Sequence, residues 1–294
     1  MYTGFDPTRV PSDDDHVSAE SQPQSRGAER DRELSLAVTV TCFNNEATIG
    51  RTLDSVRGLG APILCVDSGS TDRTVQLCEQ RGATVIHQPF LGYVKQKQFA
   101  LDESSKLGLD WTLHLDSDES LEPDLQASVR RALHDAGGRV DGFEINRKVF
   151  YRGRMLEHAW QPEWRLRLVR TGKARWAGYD PHDKLELIDQ TGSIGRLQGD
   201  CRHDSIESMA SFLARQVSHA RIAAESYRAM GRRGKPSKLV TSPAGAFLKM
   251  LIRSKAYRDG WRGWCAAGTT AASTLMKQII LLDLCANDDR EAES

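Results

Sequence analysis

The chain has 294 residues, 39% of them hydrophobic and 27% charged, enough for one substantial core plus an appendage or for two small domains. Lys and Arg balance Asp and Glu at 40 each, so there is no global field of the kind a nucleic-acid binder carries. The six cysteines show no CxxC spacing and sit in apolar runs, which predicts buried reduced thiols rather than disulfides or zinc ligands.

The sign of the charge is unevenly spread. Residues 1–34 hold eight Asp/Glu against four Lys/Arg, whereas residues 202–264 hold four Asp/Glu against thirteen Lys/Arg. The basic stretch suits an anionic partner, such as a phosphorylated acceptor or a lipid surface; a solvated helical face is the alternative. Residues 1–33, rich in Ser, Asp, Pro, Gln and Arg, predict a disordered leader. The N-terminus lacks the basic start and apolar core of a signal peptide, which predicts a cytoplasmic protein. The most apolar stretch, Gly263 to Cys285, is interrupted by Lys277, Gln278 and Asp283 and reads poorly as a transmembrane helix.

The first structured element is Leu34 to Cys42, a β-branched run suited to a buried parallel strand. Ile49, Leu53 and Val56 follow at helical spacing. Ile63 to Val66 is a second strand, ending at Asp67. A helix over 71–81 comes next, capped by Ser70-Thr71-Asp72 and stopped by Gly82. Thr84 to His87 is a third strand and Tyr93 to Ser105 a third helix. Trp111 to Leu115 is a fourth strand, running straight into Asp116-Ser117-Asp118-Glu119, and Pro123 opens another helix. This alternation argues for a parallel sheet with helices on both faces, in which ligands bind at the carboxyl ends of the strands. From Gly142 the pattern changes: Gly142 to Tyr151 and Glu163 to Arg170 read as longer strands. Beyond Cys201 the chain turns helical, with Ile206, Met209, Leu213, Ala220, Ala223 and Tyr227 on one face. Gly231 to Pro236 is a basic linker, and Pro243 to Leu284 a second helical region.

Asp116 and Asp118 carry the sharpest chemical signal. Two carboxylates two residues apart at a strand end can face one opening, and such hard oxygen ligands suit Mg²⁺ or Mn²⁺ with a nucleotide diphosphate filling the remaining sites. A solvated turn that caps the next helix is the alternative. Asp67, followed by Ser-Gly-Ser, can accept a hydrogen bond from a base edge, while Asp72 reads as a helix cap. Thr41 to Glu46 ends the first strand in similarly polar chemistry, suited to a cap or to donor contact. Arg165 and Arg167 alternate on a strand and so share a face, toward a phosphate-bearing ligand or solvent.

The segments VTVTCFNNEATIGRTLDSV, CVDSGSTDRT and LHLDSDE, in that order, resemble the family 2 glycosyltransferases with a GT-A fold. GYVKQKQFAL, WQPEWRLRLVRTGKARW, PHDKLEL and RDGWRGW are similar to bacterial lipopolysaccharide core β-1,4-glucosyltransferases; the resemblance covers residues 35–265. It implies an α/β GT-A domain, Rossmann-like with a mostly parallel sheet, over 34–204 and a helical acceptor or membrane-docking region over 205–294. It also implies an inverting enzyme that moves glucose from UDP-glucose to a lipid-linked core saccharide, peripherally on the inner face of the cytoplasmic membrane.

By the same resemblance Thr41, Asn44 and Glu46 line the nucleotide and Asp67 contacts the base. Gln98 stands where a related Asn is common. Asp116 faces ribose or metal, Asp118 is the principal metal ligand, and His203 approaches the metal or diphosphate. Asp183, within His182-Asp-Lys-Leu185, is the general base, with Glu163 as its rival. The basic, Trp-bearing segment from Phe247 to Trp264 suits an anionic membrane interface or a packed helix. A nucleotidyltransferase is disfavoured, because Phe43-Asn-Asn-Glu46 stands where a Gly-rich triphosphate loop is needed. The remaining rivals are a protein or lipid-carrier acceptor and a non-catalytic glycan- or nucleotide-binding module. The mechanism requires Asp116, Asp118 and Asp183 to converge on one cleft.

Overall fold

The computed structural model describes residues 34–135, 140–179 and 182–293; the leader expected over 1–33 lies outside them. The chain alternates β1 (Leu36–Cys42), α1 (Ile49–Arg57), β2 (Ile63–Asp67), α2 (Thr74–Gln80), β3 (Thr84–His87), α3 (Tyr93–Ser105) and β4 (Trp111–Asp116). β2 and β4 both flank β1 in parallel, and β3 adds to β2. Buried on both faces, β1, β2 and β4 need side chains that suit two different surroundings. Leu36, Val38, Val40 and Cys42 enter the main core with Ile49, Leu53 and Val56 of α1. The other face buries Thr39, Thr112 and His114, with Ser104 of α3 hydrogen-bonded to Thr112 at 3.0 Å and Thr39 to His114 at 2.9 Å. A period of two therefore sends His114 and Asp116 toward α3.

After β4 the chain makes β5 (Glu119–Leu121), α4 (Pro123–Asp135), β6 (Gly142–Tyr151), β7 (Arg154–Met155) and β8 (Trp164–Arg170), then β9 (Ala174–Tyr179), β10 (His182–Leu187) and β11 (Ile194–His203). β8 pairs antiparallel with β4 and β6, β11 runs parallel to β6, and β5 closes the far edge antiparallel to β11. The result is an α/β sheet in the order β3-β2-β1-β4-β8-β6-β11-β5, with β9 and β10 forming a separate two-stranded ribbon. Sequence reading finds the parallel half and the strands over 142–151 and 164–170, but not β5, β7 or the run β9 to β11. The helix expected over 71–81 starts three residues later, because 70–73 serve as loop.

The C-terminal part is helical: α5 (Met209–Ala229), α6 (Lys238–Leu248) and α7 (Trp261–Glu293). Ser208 caps α5, accepting from Ser211 N at 3.1 Å. The single helical region expected from Pro243 is interrupted by a π-turn (Lys249–Arg253) and a 3₁₀ turn (Ala256–Asp259), with Lys255 left-handed at φ 56°. Among the described residues no helix is long and apolar enough to cross a membrane. All six thiols are free and all but Cys265 are buried.

Gly199 marks the bulge in β11, at φ +88°, where an added Cβ would stand 2.4 Å from Leu125 N. Gly199→Ala is therefore expected to lower stability by about 2 kcal/mol or more. The check is a denaturant midpoint that falls at unchanged slope.

Candidate active site

Asp116 ends β4 beside Thr41 of β1, and the adjacent strand β8, the next strand β6 and the helix α3 bring cations to it. Lys97, on the buried face of α3, places its ammonium 2.7 Å from Asp116 Oδ1. Arg167 of β8 reaches Asp116 Oδ2 at 2.9 Å and Glu119 Oε1 at 2.8 Å. Arg147 of β6 donates to Glu119 Oε1 at 3.0 Å and grips Glu163 at 2.6 and 3.1 Å. Burial opposes ionisation of Asp116, but Lys97 and Arg167 outweigh it and hold the carboxyl well below the usual range. Glu119, with no exposed surface, is likewise kept ionised against its burial by Arg167 and Arg147. Burial also opposes charge on Glu163, whose carboxyl Arg147 and Arg165 nevertheless lower.

The ammonium of Lys97 has a second partner, Asp183 Oδ2, at 2.8 Å. Asp183 comes from the β9–β10 ribbon, paired opposite Gly178, and the ribbon buries Trp176, Leu185 and Leu187 against Leu101 of α3 and Leu166 and Val169 of β8. Trp176 forms a floor under the charges: Lys97 lies 4.8 Å and Arg167 5.6 Å from its ring. Asp116, Asp183, Lys97, Arg147 and Arg167 line one cavity of about 550 Å³.

Asp118 points to a different neighbour. β5 pairs with β11 so that Glu119 stands opposite His203, and His203 Nε2 lies 3.3 Å from Asp118 Oδ2. Its Nδ1 is buried without a hydrogen-bond partner among the described residues. One carboxylate and one imidazole fit a hard divalent ion of the Mg²⁺ or Mn²⁺ type, whose remaining positions phosphate oxygens and water would fill. No group of three His, Cys, Asp or Glu suited to a metal occurs among the described residues, and Asp118 and His203 are the pair that would hold the ion. Sequence reading grouped Asp116 with them, yet both oxygens of Asp116 are taken by Lys97 and Arg167.

The loops after β1 and β2 are cross-bonded. Asn44, at φ 52°, accepts from Thr71 N at 2.8 Å and donates its own N–H to Ser70 Oγ at 2.9 Å. Glu46 accepts from Arg73 N and Nε, each at 3.1 Å. Asn45 Oδ1 takes the Ser117 hydroxyl at 2.7 Å, joining the first loop to the Asp116–Asp118 turn. Asp72 accepts from Thr74 N at 2.9 Å, the capping role its spacing suggests. Asp67 is buried and accepts from Gly69 N and Ser70 N, each at 3.0 Å, with His87 Nδ1 at 3.3 Å. It shapes its own loop, and its oxygens are not presented to a base edge.

Glycosyl transferase family 2 matches residues 37–184, half of the chain. The lipopolysaccharide core biosynthesis glycosyltransferase LpsC of Rhizobium meliloti is 30% identical over 250 residues, spanning 81% of this chain and 88% of its own. The chain belongs to glycosyl transferase family 2. An uncharacterised glycosyltransferase of Rickettsia prowazekii is 27% identical over 82% of this chain and 84% of its own. Among solved structures, glucosyl-3-phosphoglycerate synthase of Mycobacterium tuberculosis, in complex with Mn²⁺ and UDP, is 26% identical over 41% of this chain and 45% of that one, with a TM-score of 0.32. Staphylococcus aureus TarS covers 79% of this chain and 54% of its own at 14% identity, with a TM-score of 0.45.

Within this family 2 transferase several side chains stand elsewhere than the sequence suggests. Gln98 is turned to the ribbon, accepting from Trp176 N at 2.8 Å and donating to Asp102 at 2.7 Å. Gln96 instead faces the β2 end, donating to Ser68 Oγ and Gln88 O, each at 3.1 Å. Glu163 is locked by Arg147 and Arg165, leaving neither oxygen open as a base. Arg147 carries no sequence signal beyond its charge, and Lys97 and Glu119 lie within GYVKQKQFAL and LHLDSDE, segments in which sequence reading gave neither residue a role. Arg167 does carry a signal, through its alternation with Arg165, although that pattern cannot say which face is buried.

Removing Arg167 leaves Glu119 buried with one cation fewer. Arg167→Met is expected to destabilise the transferase by about 3–5 kcal/mol. Adding Glu119→Gln should recover part of that loss, measured as a non-zero coupling in a double-mutant cycle. The folded-state carboxyls of Asp116, Glu119 and Glu163 are all lowered, so their contribution is fully present above about pH 4.5 and is lost as pH falls through their folded values. Glu163→Gln should accordingly flatten the acid limb of the melting temperature against pH.

Proposed function

We propose that this family 2 transferase is an inverting enzyme that moves glucose from UDP-glucose to a sugar of a lipid-linked lipopolysaccharide core, with Asp183 as general base. The observation that carries the reading is the meeting of Asp116 and Asp183 across the single ammonium of Lys97 in one cavity. The role of the Rhizobium relative in core biosynthesis supports the acceptor class. In this reading residues 34–204 are the GT-A catalytic domain, and residues 205–294 serve acceptor and membrane docking at the inner face of the cytoplasmic membrane.

The donor nucleotide lies over the carboxyl ends of β1, β2 and β4, against Thr41, Asn44, Glu46 and the loop that Asp67 orders. Gln96 takes the position expected of Gln98. Asp118 and His203 would hold Mg²⁺ or Mn²⁺, which when bound would offset charge on the departing diphosphate. The diphosphate offers Lys97 a replacement anion, and its ammonium leaves Asp183 Oδ2. Asp183 then takes the proton from the acceptor hydroxyl as that oxygen attacks the anomeric carbon opposite the leaving group, a single displacement that inverts configuration. Arg167 keeps Asp116 ionised and fixed beside the reacting atoms.

A panel of nucleotide sugars incubated with the purified protein, with released nucleoside diphosphate measured, should single out UDP-glucose. Asp183→Asn should lose transfer by about 10²–10⁴-fold while still binding donor. Transfer by this variant at the wild-type rate would sink the base assignment. Asp118→Ala should abolish the dependence of donor turnover on Mg²⁺ or Mn²⁺; a retained metal response would sink that ligand.

A further inference from the structure

The segment from Leu248 to Trp264 does not fold as one amphipathic helix with a buried face. The π-turn, the left-handed Lys255 and the 3₁₀ turn fold it back on itself. Gly263 lets the first turn of α7 press onto Ala256, whose carbonyl oxygen would lie 1.7 Å from an added Cβ. Phe247 and Trp264 pack with their rings tilted and their centroids 6.2 Å apart, so the end of α6 and the start of α7 share one surface.

Five large apolar side chains of this knot, Leu248, Ile252, Tyr257, Trp261 and Trp264, are each 52% to 63% exposed. Lys249, Arg253, Lys255 and Arg258 are interleaved with them and exposed as well. The segment has one acid, Asp259, and its carboxylate is turned inward, accepting from Glu157 N, His158 N and Ala159 N at 2.7 to 3.1 Å. What faces outward is therefore apolar and purely cationic. Monomeric soluble proteins rarely leave such a patch uncovered. Aromatic and aliphatic side chains amid Lys and Arg suit the headgroup region of an anionic bilayer, where apolar groups enter the acyl boundary and cations meet lipid phosphates.

We infer that this surface seats the enzyme on an anionic lipid membrane, resting on the proposed lipid-linked acceptor for its purpose. The position supports it. Ala256 and Ala266 pack with Val149, Tyr151 and Leu156, so the knot is mounted on the end of β6. Arg147 stands four residues before Tyr151 on that strand, about 13 Å along it. A membrane touching the knot thus lies close to the cavity that holds Asp183, where the sugar of a lipid-anchored acceptor has to arrive.

Co-sedimentation with vesicles tests the surface. The full chain should bind phosphatidylcholine vesicles carrying a one-third share of phosphatidylglycerol, bind pure phosphatidylcholine far more weakly, and be released by high salt. Arg253→Glu with Arg258→Glu should weaken binding by about 25-fold or more, at about fivefold per cation. Ile252→Ser with Trp261→Ser should weaken it at low salt too. Donor turnover in solution should stay unchanged in both, because none of these side chains lines the cavity, and circular dichroism should show the fold intact.

Equal binding to both vesicle types, no binding, or variants that bind as wild type would overturn the inference. So would light scattering that shows dimers abolished by Ile252→Ser, since a second copy would then cover the patch. Loss of donor turnover with vesicle binding intact would instead overturn the proposed reaction and leave the surface standing.

Discussion

The site rests on a buried arrangement of like and unlike charges: Asp116 and Glu119 on one side, Lys97, Arg147 and Arg167 on the other. Each member comes from a different element, so the ion pairs also fix how β4, β6, β8 and α3 meet. Taking such charges out of water is costly, and their mutual attraction offsets the cost only when every partner is present. The arrangement therefore has little tolerance for partial formation. Its product is a carboxylate held in one orientation at the end of a central strand, where an open α/β sheet collects its ligands.

Beside this buried charge network lies a more exposed rim, tied by hydrogen bonds to backbone. The loops after β1 and β2 are tied to each other by Asn44, Glu46 and Asp72, and to the Asp116–Asp118 turn by Asn45. Backbone groups that would otherwise need water are satisfied inside the rim, which orders it without burying it. The same economy explains Asp67, whose two oxygens organise Gly69 and Ser70.

The parallel half was legible because β-branched runs such as Ala37 to Cys42, separated by helical spacing and glycines, have few other solutions. The strand β11 was not. Ile194 to His203 mixes Gly195, Gly199, Arg196, Gln198 and Asp200 with single apolar residues, so neither alternation nor a continuous apolar run survives. The acids at positions 116 and 118 stood out because an apolar strand delivers them. Arg147, by contrast, has its burial set by the return of β6 and β8 alongside β4, a long-range pairing that no local pattern records. That Gln96 faces the β2 end while Gln98 faces the ribbon has a similar origin. On α3 the buried positions include Gln96, Lys97 and Ser104 as well as Ala100 and Leu101, so hydrophobicity gives the helix no phase.

That helix has a mechanical property of its own. Gln96, Lys97 and Gln98 are consecutive, so they leave the axis about 100° apart. One grips the β2 loop, the next both carboxylates of the cavity, and the third the ribbon that carries Asp183. The helix is an axle with three spokes. A small turn of α3 cannot move one contact without moving the others, so a push at the β2 loop is transmitted to the ribbon as a displacement.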